Sequence, residues 1–350
     1  MTASRWKWRV DYSQVVVWGI GVLLLILVLI GSVTTLLEGR YTLAQWRDFV
    51  IFGLAQGSIY ALIALGYTMV YGVLGLINFA HGEVFMGGAF TAFFLADALA
   101  RNGTLDQYPL LSLLAVVALS AAVSTILALA LERIAYRRLR RAPRLVSLIT
   151  AIGASFFLQY TFRGLYGSGV KVYPRVDALQ GSVFGVQRSV IVVFVGAMVM
   201  LALLYLFIQR TKIGRAIRAV SEDIETAALM GVNVNATIAS TFAIGGLMAG
   251  VAGVLYALIF QQVNFFMGFI PGIKAFTAAV LGGIGNLPGA AVGGIFLGIV
   301  ESVGPSLFLE GLGIPAAHQL KDVIAFLMLV LVLIFRPTGI LGERLATKRA

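Results

Sequence analysis

The chain has 350 residues, of which 60% are hydrophobic and only 12% are charged. Soluble domains carry about 25% charged residues, so this composition argues against a soluble enzyme, a nucleic-acid-binding protein and a disordered scaffold. The remaining class is a polytopic membrane protein. The absence of cysteine excludes a disulfide framework, a thiolate metal site and a cysteine nucleophile.

Apolar runs along the chain predict the membrane-spanning segments. An uninterrupted helix needs about 20 apolar residues to cross the hydrocarbon core. The first run extends from Val15 to Val33 and has no small-residue cleavage site after it, so we interpret it as an uncleaved span. The later runs cover approximately 50–77, 84–100, 109–131, 146–166, 189–208, 237–260, 272–303 and 322–335.

Basic residues cluster between or beyond these runs and predict the orientation. The clusters lie at 5–9, 133–144, 210–218 and 336–349. Cytoplasmic loops hold such an excess of Lys and Arg, so the net charge of +11 reflects topology rather than binding of nucleic acid. We therefore expect a multi-pass membrane protein with a cytoplasmic N-terminal tail at 1–13 and a cytoplasmic C-terminal tail at 336–350.

If the N-terminus is cytoplasmic and the spans alternate, the run 237–260 ends outside. The cytoplasmic C-terminal cluster requires the run 322–335 to start outside as well. The run 272–303 between them must therefore begin and end on the same side of the membrane. As one helix it would be about 48 Å long, so we predict two short segments that meet within Gly282–Gly289. Pro288 lacks an N–H and glycine permits positive φ, so a break there costs little. The predicted fold is all-α, a polytopic transmembrane helical bundle. It forms one domain, 1–350, with about nine or ten membrane segments, some discontinuous or re-entrant.

A polar stretch from Asn78 to Glu83 interrupts the apolar sequence. Polar groups inside apolar stretches cost energy and mark candidate functional sites. Three interpretations remain open: a tight turn with Gly82 at its bend, a proton relay through His81 and Glu83, and a discontinuous helix that lines a substrate path. His81 has no further ligands at suitable spacing, so we expect no metal and no cofactor.

A weak internal repeat favours the substrate path. A shift of 207 residues pairs Gly75 with Gly282 and Gly82 with Gly289. Transporters often carry paired, glycine-interrupted segments at the substrate site. We therefore predict a pathway lined by Asn78, His81, Gly82, Glu83, Gly282, Gly283, Gly285 and Asn286.

The segment 209–235 is charged, and both its apolar and its charged residues recur at helical spacing. Ser221 is predicted to cap a second short helix and Gly231 to end it. One interpretation is a helix on the lipid surface. Because the segment carries both positive and negative charges, which weakens binding to lipid, its pattern favours a helix that docks into a groove on a partner protein. The candidate contact residues are Gly214, Arg215, Arg218, Glu222, Glu225, Ala227, Ala228 and Gly231.

No catalytic constellation and no GxxxxGK[ST] phosphate loop occurs in the sequence, so we do not expect an enzyme, and we expect no ATP hydrolysis by that route. Intramembrane carboxylates are few: Glu83, Asp97, Glu301 and Asp322. An ion-coupled carrier usually needs buried ionisable groups. Their scarcity indicates that the energy for transport enters from a partner through the segment 209–235.

Two motifs resemble the permease of branched-chain amino acid ABC importers, the LivH type. The first runs from Ile59 to Gly72 and continues with Asn78 to Glu83; the second runs from Ala278 to Ala290. The stretch from Arg218 to Gly231 lies where that family has its coupling loop, but it departs from the EAA pattern of other ABC importers. The resemblance covers about 45–340.

The resemblance implies a subunit without ATPase activity and its partners. These are a second, LivM-like permease, two cytoplasmic ATP-binding subunits and a periplasmic or extracellular amino-acid-binding protein. The implied substrates are branched-chain, hydrophobic amino acids. Related permeases for urea or short amides share the core around Asn78 and His81, so they stay open as an alternative. An ion-driven secondary carrier and a passive channel are the alternatives from other classes.

Overall fold

The structure is a computed structural model that describes residues 12–140, 142–336 and 338–342. The predicted tails 1–13 and 336–350 therefore lie outside the described residues, apart from 12–13, 336 and 338–342. The helices are α1 (Tyr12–Glu38), α2 (Leu43–Leu74), α3 (His81–Arg101), α4 (Thr104–Gln107), α5 (Pro109–Leu131), α6 (Arg137–Leu139), α7 (Arg144–Tyr166), α8 (Arg188–Arg210), α9 (Lys212–Glu222), α10 (Ile224–Leu229), α11 (Val234–Phe260), α12 (Phe269–Gly282), α13 (Leu287–Gly304) and α14 (Lys321–Phe335).

Short elements extend or connect these helices. Two π-helical turns, Glu132–Tyr136 and Pro305–Leu309, follow α5 and α13. The strands are β1 (Lys171–Val172), β2 (Ser182–Val183), β3 (Val186–Gln187) and β4 (Gln262–Val263). β1 pairs with β4 and β2 with β3, both antiparallel.

Nine helical segments of the described chain are long and apolar enough to cross a membrane. They are Trp18–Glu38, Leu43–Leu74, His81–Arg101, Pro109–Leu139, Leu145–Tyr166, Arg188–Arg210, Val234–Phe260, Leu287–Leu309 and Ala317–Phe335. α12 is a shorter apolar helix of 14 residues. These elements confirm the prediction of an all-α, polytopic helical bundle with nine or ten segments. The run 272–303 does break in two, at 283–286.

α2 and α11 form the centre of the bundle, since most of their residues are buried. Small residues let their backbones approach neighbouring helices. A methyl group built on Gly298 of α13 would lie 2.2 Å from Gly57 Cα of α2. At the crossing of α5 and α11, Ser120 Oγ donates to Gly250 O over 2.7 Å. The tight core follows from the glycine-rich sequence.

The connections lie at two opposite ends of the bundle. One end, named here the α9 end, holds 75–80, α9, α10 and the turn 283–286, which packs against 339–342. The opposite end, named here the hairpin end, holds the β2–β3 hairpin and the paired β1 and β4. Arg47 near the start of α2 donates to Phe184 O in the hairpin over 3.3 Å.

Candidate functional site

The linker between α2 and α3 holds the first predicted pathway stretch. α2 ends at Leu74, and Gly75 follows with φ +64, a left-handed conformation that glycine adopts without steric cost. α3 begins at His81, so Gly82 lies in its first turn. A tight turn with Gly82 at its bend is therefore wrong, because Gly75 supplies the bend.

His81 lies beside α2 rather than beyond its end. A methyl group on Gly66 would be 2.1 Å from His81 Nε2, so only glycine leaves room for the imidazole. Gly66 precedes the end of α2 by eight residues, about 12 Å along the helix. The ring of Tyr67 meets the imidazole edge-on, with centroids 5.0 Å apart. α3 thus starts inside the bundle.

The other polar residues of this stretch connect α3 to its neighbours. Asn78 Oδ1 accepts a hydrogen bond from Tyr136 OH over 2.8 Å. Glu83 Oε1 accepts from Gln159 Nε2 over 2.7 Å and from Ser155 Oγ over 3.2 Å. The second oxygen of Glu83 is buried and has no hydrogen-bond partner among the described residues. The polar side chains of this stretch are therefore buried, and Glu83 Oε2 could still accept a hydrogen bond.

Gly82 brings the starts of α3 and α12 together. A methyl group on Gly82 would lie 2.5 Å from Gly268 O, and one on Gly272 would lie 3.1 Å from Gly82 Cα. The contact places two helix N-termini side by side. Such N-termini carry partial positive charge.

The second predicted stretch forms the turn between α12 and α13. Gly283 and Gly285 have φ of +104 and +96. Asn286 caps α13: its Oδ1 accepts from Gly289 N over 3.0 Å, and its Nδ2 donates to Leu341 O over 2.7 Å. Gly282 lies fourteen residues after Gly268, about 20 Å along α12. Most of α12 therefore separates Gly268, which meets Gly82, from this turn, and a pathway shared by both stretches stays a prediction.

The helix boundaries follow the predicted 207-residue shift. Leu74 and His81 bound the first linker, while Gly282 and Leu287 bound the second. Each boundary differs from the shifted position by one residue. Both stretches are helix–linker–helix units, and the internal repeat stays a prediction.

The segment 209–235 folds into α9 and α10. Thr211 Oγ1 accepts from Gly214 N over 3.0 Å and caps α9. Asp223 Oδ1 accepts from Thr226 N over 2.8 Å and caps α10, so the predicted cap at Ser221 is wrong. Ser221 Oγ donates to Arg218 O instead. Because the helix breaks at Asp223, the apolar stripe of α9 does not continue into α10.

Most of the candidate coupling residues face outward. The exposed ones are Arg215, Arg218, Glu222, Glu225, Ala228 and Gly231. Gly214 and Ala227 are buried. A methyl group on Gly214 would lie 2.3 Å from Ile208 O, so this glycine fixes the corner between α8 and α9.

Two apolar residues that sequence reasoning missed project beside them. Leu229 is 87% exposed and Met230 is 80% exposed, at the end of α10. Gly231, with φ +83, follows, and Val232 N donates to Ala227 O across this end. The signal was available, because a glycine stop places the residues before it at a helix terminus.

A buried ionic network, also missed, lies between α2, α12, α13 and α14. Lys274 Nζ contacts Glu301 Oε1 at 2.5 Å and Asp322 Oδ1 at 2.6 Å. Gln56 Nε2 donates to Glu301 Oε1 over 2.9 Å and to Tyr60 OH over 2.6 Å. Lys274 within the apolar run 272–303 was the signal for this network, since a charge in such a run needs a partner.

A family model and several relatives that match over most of the chain show the family of this protein. A family model described as "Branched-chain amino acid transport system / permease component" matches residues 49–333. The chain is 47% identical over 303 residues to the high-affinity branched-chain amino acid transport system permease protein BraD of Pseudomonas aeruginosa, which covers 84% of this chain and 95% of BraD. It is 42% identical over 301 residues to LivH of Escherichia coli K12, covering 83% and 94%. A probable LivH of Methanocaldococcus jannaschii is 27% identical over 295 residues, covering 81% and 89%.

Proposed function

We propose a function from the premise that this chain belongs to the permease family of branched-chain amino acid transport systems. It is the integral membrane permease subunit of an ABC importer and moves branched-chain amino acids across the inner membrane. The observation that carries this conclusion is the 47% identity to BraD over most of both chains. The relatives' names do not favour urea or short amides as substrates.

The partners follow from the type of importer. ATP-binding subunits supply the energy, and a binding protein delivers the amino acid. A second, LivM-like permease completes the membrane part of the complex in this proposal. The subunit itself carries no catalytic role.

We place the α9 end in the cytoplasm. Arginine clusters at 133–144 and 210–218 lie in the connections of this end, and such clusters favour the cytoplasmic side. Both chain termini then also lie in the cytoplasm. The hairpin end faces the periplasm, or the exterior.

The residues Asn78, His81, Gly82 and Glu83 shape the translocation path in this proposal, with Gly282, Gly283, Gly285 and Asn286 at its cytoplasmic end. Support comes from the burial of the first stretch and from the paired N-termini of α3 and α12 at Gly82 and Gly268. Partial positive charge at those termini suits a substrate carboxylate. ATP binding shifts the population between states that open to opposite sides.

In this proposal, α9 and α10 bind the ATP-binding subunits and couple ATP hydrolysis to transport. The exposed pair Leu229 and Met230 supplies apolar area for a groove on an ATP-binding subunit, and Glu225 with Arg218 supplies a charged rim. Burial of a leucine side chain contributes about 1.5–3 kcal/mol. A helix that anchors by one or two apolar residues fits this groove mode of recognition.

Leu229→Ser tests this coupling. Loss of the apolar anchor should lower ATP-driven leucine uptake about tenfold, which corresponds to about 1.4 kcal/mol. The matched control is Leu43→Ser at the hairpin end, because Leu43 is 88% exposed and Leu229 is 87% exposed. Uptake by reconstituted importers, normalised to inserted protein, measures both. Equal uptake by the two variants would remove α10 from the coupling interface.

A further inference from the structure

A pocket of about 510 Å³ lies at the hairpin end, between α2, α8, α13, the β2–β3 hairpin and the start of α14. Its volume falls in the range of small-molecule sites, about 300–1,000 Å³. Phe52 and Val190 give it an apolar wall, His318, whose side chain is 58% exposed, lies near its mouth, and Lys321 also lines it. Gln56 and Glu301 lie at its inner part, since Gln56 is thirteen residues, about 20 Å, from the start of α2.

The ionic network that adjoins this pocket at Glu301 holds two carboxylates and one ammonium group. Lys274 is shared by two carboxylates, those of Glu301 and Asp322. Glu301 Oε1 already accepts from Lys274 and Gln56. Glu301 is 2% exposed, and its Oε2 has no hydrogen-bond partner among the described residues.

A buried carboxylate oxygen without a partner is costly. A cationic donor at this position would satisfy Oε2 and balance the network. The α-ammonium group of an amino acid is such a donor, with three N–H groups. Lys321 also lines the pocket and forms no ion pair within the described chain; its Nζ lies 6.0 Å from the centroid of the Phe260 ring.

We propose that this pocket is an outward-facing binding site for a zwitterionic amino acid with an aliphatic side chain. Glu301 Oε2 accepts from the substrate ammonium, the carboxylate faces Lys321, and the aliphatic chain contacts Phe52 and Val190. The amino acid occupies it between release from the binding protein and passage through the bundle. This assignment rests on the proposed function for its substrate class and direction of transport.

A thiol-protection experiment tests the site directly. The chain has no cysteine, so Val186→Cys introduces a single thiol at the pocket wall. The matched control is Val183→Cys, which faces Val186 across the hairpin and does not line the pocket. The assembled membrane complex, in lipid nanodiscs without binding protein, is labelled with a maleimide in the presence of increasing L-leucine.

We expect saturating L-leucine to slow labelling of Val186→Cys at least fivefold and to leave Val183→Cys unchanged. 4-Methylpentanoate, which is leucine without its ammonium group, should give no protection. Adding Glu301→Gln should abolish protection while the labelling rate without leucine stays the same. If Glu301→Gln fails to assemble, Lys321→Gln should raise the leucine concentration for half-protection about tenfold.

Three results would overturn the site. One is labelling of Val186→Cys that leucine does not slow. Another is equal protection by 4-methylpentanoate, because the ammonium contact would then contribute nothing to binding. The third is protection by sodium ions alone, which would assign the position to a metal cation. ATP-driven uptake is measured separately, so normal uptake without protection rejects the pocket and leaves the transport function intact.

Discussion

Removing the one ammonium group of the buried network should destabilise the protein more than removing an exposed one. Lys274→Met leaves Glu301, whose side chain is 1% exposed, without its cation. Breaking a buried ion pair by removal of one partner costs about 3–5 kcal/mol, because an uncompensated charge stays buried. Asp322 should be affected less, because its side chain is 39% exposed. The cost should therefore come mainly from Glu301.

Thermal unfolding of the purified variants measures this cost. We expect the apparent Tm of Lys274→Met to fall by at least about 5 °C, given about 2–4 °C per kcal/mol for large domains. The matched control is Lys212→Met, an exposed lysine of α9, which should unfold within about 1 °C of the wild type.

The double variant Lys274→Met with Glu301→Gln tests whether the uncompensated charge of Glu301 causes the loss of stability. Glu301→Gln keeps the side-chain volume and removes the unpaired charge, so the double variant should be more stable than Lys274→Met alone. The two residues are in contact, so such non-additivity is expected. A double variant that is less stable than Lys274→Met would refute the charge argument.

Three further variants test the site and the coupling segment. Gly66→Ala should lower folded yield severalfold, because its methyl group would lie 2.1 Å from the His81 ring; adding His81→Ala should recover part of the yield, and no recovery would reject this contact. Gly214→Ala should destabilise the protein by about 1–3 kcal/mol through overpacking against Ile208, seen as a lower Tm, and an unchanged Tm would contradict the close approach. Glu225→Lys should reduce ATP-driven uptake while membrane insertion stays normal, and full uptake would remove this residue from the coupling surface.

Hydropathy and parity predict most of the fold because each span must satisfy its own backbone in lipid. The break of 272–303 was predictable for the same reason: its length exceeds one crossing, and glycines with Pro288 mark the break. The helix ends were less predictable. α2 extends to Leu43, beyond its apolar run, because Thr42 and Gln45 form a capping box.

The candidate site was only partly predictable. Sequence marked Asn78 and Glu83 as polar interruptions, but could not show that Tyr136 and Gln159 contact them, because those contacts join distant parts of the chain. The ionic network was missed for the same reason. Lys274 and Glu301 are separated by 27 residues, and the fold of the α12–α13 pair brings them into contact.

The pattern of α9 and α10 shows the limit of periodicity. Ile217 and Val220 are buried as the spacing predicts, while Ile213 is 46% exposed and Ile224 is 44% exposed. The sequence predicts that the second helix begins at Ser221, but its cap is Asp223, two residues later, so the register of α10 differs from the predicted one. Gly231 alone could have marked the exposed Leu229 as a candidate contact, because the glycine stop places it at the end of α10.

ATP-dependent uptake of radiolabelled leucine, valine and urea into proteoliposomes tests the central claim most directly. The assay compares this subunit alone with the co-purified importer, each with binding protein outside and with or without ATP on the side of the ATP-binding subunits. The account predicts leucine and valine uptake only by the complex and only with ATP, and no urea uptake. Leucine uptake by the subunit alone, with an ion gradient or without any energy source, would contradict it and would indicate a carrier or a channel.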